Sequence, residues 1–124
     1  MLVAVAPTCS ALGAIPPAQG GDVLEGTYAL QAYQLPFCFA VEQTLRITLM
    51  AGGLYRIDTV ASLGATRASA SMVRDGAVLR TTSICGATEV DEPYAYSAFV
   101  EDDQRFLRLI RPDEGVFTFR RLGP

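Results

Sequence analysis

Thr44-Leu45-Arg46-Ile47-Thr48-Leu49-Met50-Ala51-Gly52-Gly53-Leu54-Tyr55-Arg56-Ile57-Asp58-Thr59 decides the fold class. From Thr44 to Leu49 apolar and polar side chains alternate, with Leu45, Ile47 and Leu49 on one face and Thr44, Arg46 and Thr48 on the other, the period of a half-buried strand. Ala51-Gly52-Gly53 is a turn signal. Tyr55 to Thr59 then alternates in the opposite sense, as a returning antiparallel strand does.

The same rhythm extends in both directions. Upstream, Gly26 to Tyr33 is β-prone and Pro36 ends it. Downstream, strands are expected over Thr66–Val73, Ala77–Cys85, Tyr94–Val100, Arg105–Arg111 and Val116–Leu122, separated by Asp75-Gly76, an acidic loop over 86–93, Glu101-Asp102-Asp103-Gln104 and Pro112-Asp113-Glu114-Gly115. Asp75-Gly76 is read as a type I′ hairpin turn. Connections this short exclude parallel crossovers, and no long connection of Greek-key type is present. About eight strands joined by tight turns are best satisfied by an all-β, antiparallel up-and-down meander that closes into a small barrel and so hides its two edges.

Composition narrows the function. The 124 residues suit one domain and carry 13 acidic and 10 basic side chains, for a net charge of −3. That balance gives no basic footprint for nucleic acid. With no His, the chain cannot build Ser–His or Cys–His pairs or a His-ligated zinc site. The acidic run Glu89-Val90-Asp91-Glu92 lacks the oxygen spacing and turn glycine of a calcium loop and is read as solvated. No metal or other cofactor is expected. No connection is long enough to form a cleft for a sugar chain, so the chain is read as non-catalytic.

Residues 1–21 are read as a residual signal segment and flexible linker preceding a domain over 22–124. Ala11-Leu12-Gly13 resembles a small-x-small cleavage site, and the apolar run Leu2–Ala6 is too short to span a bilayer. A rival reading places a lipid anchor on Cys9. Either way, Cys38 and Cys85 remain in the folded part, and in an oxidising compartment they are expected to pair. An exported, monomeric protein is the expectation, either periplasmic, outer-membrane-anchored or secreted.

The last hairpin offers a candidate site. With Pro112–Gly115 as the loop, Arg111 pairs with Val116, and Phe106, Arg108 and Ile110 share a face with Phe117, Phe119 and Arg121. That more aromatic face is taken as the interior. It places Arg108 inside, where a guanidinium fork would hold a carboxylate. A one-residue bulge at Gly115 gives the opposite outcome, with Leu107, Leu109, Phe117 and Phe119 inside. Tyr28, Tyr55, Tyr96, Phe117 and Phe119 are candidate ligand-lining residues. They serve equally as core if the barrel is filled.

Gly26-Thr27-Tyr28 on the first strand and Phe117-Thr118-Phe119-Arg120-Arg121 on the last resemble the Gly-x-Trp opening and closing Arg of lipocalins, with Tyr in place of Trp. The likeness spans Gly26 to Leu122 by strand pattern. It implies a barrel closed by Gly26, Tyr28, Arg120 and Arg121, with the ring plugging one end and a guanidinium beside it, and a small apolar, fatty-acid-like ligand. A second likeness, to small periplasmic lysozyme inhibitors, lies in Ala68-Ser69-Ala70-Ser71 leading into Asp75-Gly76-Ala77-Val78-Leu79. It implies a filled-barrel cell-envelope module or a protein inhibitor that acts by protein–protein contact, with an envelope protein as the partner.

Overall fold

The computed structural model describes residues 7–36, 43–61, 66–85, 92–111 and 115–124. Among these residues nine strands follow in chain order: β1 Thr8–Ala11, β2 Gly26–Leu35, β3 Gln43–Leu49, β4 Tyr55–Ala61, β5 Thr66–Asp75, β6 Val78–Cys85, β7 Glu92–Glu101, β8 Gln104–Arg111 and β9 Gly115–Gly123. β2 to β9 each pair antiparallel with the next, and β9 returns to pair with β2. The result is an eight-stranded up-and-down barrel with β1 added, as the strand and turn pattern predicts.

Tyr28 opposes Arg121 and Ala29 opposes Arg120 across the β2–β9 seam. Gly26 is needed at its start. A Cβ there would lie 2.5 Å from both the Gly123 carbonyl and Arg121 Nε. A register shift between Leu30 and Ala32 leaves Gln31 as a bulge, so the inward set changes from Tyr28 and Leu30 to Tyr33 and Leu35.

The interior is filled. Tyr28, Leu45, Ile47, Met72, Leu79, Tyr96, Leu107 and Phe119 are all buried in one cluster, with Tyr55, Leu109 and Phe117 packed against it. This is the packed outcome available to a barrel of eight strands. Its end beside the β3–β4 turn is plugged by the chain entering β2. Val23 is buried there, the Tyr28 hydroxyl donates to the Leu24 carbonyl at 2.7 Å, and Arg121 Nε donates to the Glu25 carbonyl at 2.8 Å.

Two local expectations are corrected. The β5–β6 turn has Gly76 and Ala77 at its centre, with positive φ only at Gly76, the pattern of a type II′ turn where type I′ was expected. Positive φ at both central residues of a two-residue hairpin loop occurs instead at Asp102 and Asp103, in the β7–β8 turn, where short polar side chains tolerate the left-handed region. The last hairpin pairs Arg111 with Gly115, one residue away from the expected Arg111–Val116 pairing.

Residues 8–21, expected as part of a flexible linker, are bonded to the barrel. β1 runs parallel to the second half of β2, beyond the stretch that β3 occupies. Leu12 N–H then donates to the Leu35 carbonyl. At the far side, Gly20 bridges to Ser97 on β7, exchanging bonds with the Tyr96 carbonyl and the Ala98 amide. Residues 12–19 therefore form a strap across the outside of β2, β9, β8 and β7. No helix among the described residues is long and apolar enough to cross a membrane.

Candidate functional site

The one-residue difference in the last hairpin decides which face of β8 is inside. Leu107 opposes Phe119 and Leu109 opposes Phe117 in the interior, whereas Phe106, Arg108 and Ile110 point outward opposite Arg120, Thr118 and Val116. Arg108 is therefore not in the lumen. The aromatic face that suggested an interior is apolar for another reason: the strap lies over it. Phe106, Ile110 and Val116 are buried on the outside of the barrel, and Leu12, Pro16 and Ala18 of the strap are half-buried.

Strap and wall do not close completely. Between them lies a groove of about 570 Å³, with Ser10, Ala14 and Pro16 on the strap side and Gln31, Gln34, Phe99, Phe106, Arg108 and Thr118 on the barrel side. Glu101, Asp102 and Gln104, at the β7–β8 turn, complete the lining. The volume falls within the range of small-molecule sites.

The wall is ordered by its own contacts. Phe99 and Phe106 are directly opposed on β7 and β8, and their rings stack 5.3 Å apart at 16°. The Arg108 guanidinium lies over Phe99, 4.8 Å from the ring centroid, and Arg108 Nε donates to Thr118 Oγ1 at 3.3 Å. These contacts fix the fork while engaging only one of its five N–H donors in a described hydrogen bond. Among the described residues no carboxylate pairs with Arg108. The three ion pairs formed there join Arg56 to Asp58, Arg74 to Asp22 and Arg80 to Asp75.

The other candidates separate from Arg108. Tyr28, Tyr96 and Phe119 are buried core, and Tyr55 and Phe117 pack against it. Burial pushes the Tyr28 phenol above its ordinary pKa, with Arg121 pulling the other way; burial likewise raises Tyr96, opposed by Arg74. Both phenols are held as donors: Tyr96 to the Gly21 carbonyl at 2.8 Å, Tyr28 to that of Leu24. On the opposite wall, the Ser69 hydroxyl donates to Asp58 and Arg56 pairs with it, so the Asp58 carboxyl sits below its usual range. This is a cross-strand polar contact between the directly opposed Asp58 and Ser69. Glu89 to Asp91 and the Glu92 side chain lie outside the described residues.

Cys38 and the Cys85 side chain also lie outside the described residues. Cys9, however, is disulfide-bonded. The expected Cys38–Cys85 pair therefore falls outside the described residues.

What sequence reading missed was the strap. The signal was present in the alternating face of β8 and β9, where both sides carry large apolar residues and a single buried face cannot account for them.

No family model matches the chain, and no curated protein or solved structure matches it. The lipocalin likeness rests on Gly26-Thr27-Tyr28, on Phe117 to Arg121, and on the strand order.

Proposed function

We propose that this protein is an exported, non-catalytic β-barrel that binds a small apolar ligand carrying an anionic group, and that it does so in the groove under the strap. The observation that carries this reading is the Arg108 guanidinium, fixed over Phe99 at the wall of a 570 Å³ groove with no described carboxylate against it. A half-desolvated guanidinium beside stacked rings favours a carboxylate whose body lies on those rings. Disulfide bonding of Cys9 supports an oxidising compartment. Direct titration with dodecanoate tests the site: Arg108→Leu is expected to weaken binding about tenfold or more, equivalent to about 1.4 kcal/mol, and equal affinity of parent and variant overturns it.

A second reading, contact with an envelope protein, has one observation in its favour. Leu49, Met50 and Leu54 at the β3–β4 turn are about half exposed, an apolar tip on a barrel with a filled interior. Serine at Leu49 and Leu54 would leave dodecanoate binding intact while abolishing such a contact.

A further inference from the structure

The groove carries charge of both signs, and the two signs do not neutralise each other. Arg108 stands at one place, Glu101 and Asp102 at the β7–β8 turn, and among the described residues none of the three is in an ion pair. Because Arg108 leans over Phe99, its guanidinium lies near the level of the Phe99–Phe106 pair. Glu101, opposite Gln104, lies two residues further along β7, and two residues advance a strand by roughly 7 Å. With the reach of the turn included, cation and carboxylates are on the order of 7–10 Å apart.

Resting on the groove reading above, we infer that the ligand is a short linear peptide of two or three residues, its carboxylate on Arg108 and its ammonium at Glu101 and Asp102. An extended chain advances about 3.3–3.6 Å per residue, so the two ends of such a peptide span the charge separation. In a free amino acid the two charges share one carbon and cannot reach both. A fatty acid satisfies Arg108 and leaves Glu101 and Asp102 without a partner. The stacked Phe99–Phe106 wall receives an apolar side chain of the peptide, and Gln31, Gln34 and Thr118 offer hydrogen-bond partners to its backbone.

The test is calorimetric titration of the full chain at low salt with Ala-Phe-Ala, its N-acetyl form and its C-terminal amide, beside dodecanoate. Acetylation and amidation are each expected to weaken binding tenfold or more. In Glu101→Gln/Asp102→Asn the penalty for acetylation should vanish while that for amidation remains. Asn keeps the left-handed turn at 102, and an unchanged melting temperature verifies the fold. Equal affinity for all three peptides, or a penalty for acetylation that survives in the double variant, overturns the inference. Binding of dodecanoate without any peptide also overturns it and leaves the groove reading standing; binding of neither overturns both.

Discussion

The Arg108 guanidinium sits 4.8 Å above the Phe99 ring on the outside of the barrel, beneath a strap of the chain's own N-terminal region. The pair is cross-strand and outward, since Ser97 opposes Arg108 and Phe99 opposes Phe106. Its partly exposed cation–π contact is worth about 1 kcal/mol. Arg108→Leu should therefore lower stability by no more than about 1 kcal/mol in urea unfolding while removing the ligand's anion partner. A loss of several kcal/mol would mean that Arg108 is a structural group.

Barrel closure makes β9 indispensable. It pairs with β2 on one side and β8 on the other, and it supplies Phe119 to the core. Truncation after Arg111 should abolish cooperative thermal unfolding, because two neighbouring strands lose a partner and the buried face opens. A truncated chain that melts cooperatively near the parent temperature contradicts the closed barrel.

Gly26→Ala tests the seam more gently. The added methyl meets the Gly123 carbonyl, a backbone group that moves only if β2 and β9 part. A loss of about 1–3 kcal/mol is expected, with earliest hydrogen exchange at Tyr28 and Arg121. Unchanged stability would mean that the seam is looser than the paired register implies.

Tyr28 and Tyr96 give the protein an alkaline limit. Burial raises both phenols in the folded state, most against the ordinary value near 10. The sign follows: the folded state holds these protons more tightly, so their contribution is complete below pH about 10 and falls as pH rises above it, by up to about 1.4 kcal/mol per pH unit for each proton. Tyr28→Phe should flatten this alkaline decline in denaturant midpoints. An unaltered pH profile in Tyr28→Phe and Tyr96→Phe would remove the assignment.

Cysteine chemistry is countable. Non-reducing peptide mapping should place Cys9 in a disulfide. A map that shows Cys9 as a free thiol would contradict that bond.

Most of the barrel is legible in the sequence because alternation and turn chemistry act locally. Leu45 and Ile47 against Arg46 and Thr48 declare their face, and Gly26-Thr27-Tyr28 and Arg120-Arg121 mark the two strands that meet. The site is not legible in the same way. Inside and outside on β8 and β9 depend on one residue of register at Gly115, and Phe106, Ile110 and Val116 look like core because a distant segment covers them. That segment, residues 8–21, is short, rich in small residues and proline, and has no periodicity of its own. Its partners on β2 and β7 come from tertiary packing.

The central claim is that ligand binds outside the barrel, and amide chemical-shift mapping during titration with Ala-Phe-Ala, and separately with dodecanoate, tests it most directly. Perturbations concentrated at Gln31, Phe99, Gln104, Arg108 and Thr118, with Leu45, Ile47 and Leu79 unmoved, are the predicted result. Perturbations centred on Leu45, Ile47 and Leu79 would place the ligand in the lumen and contradict the account.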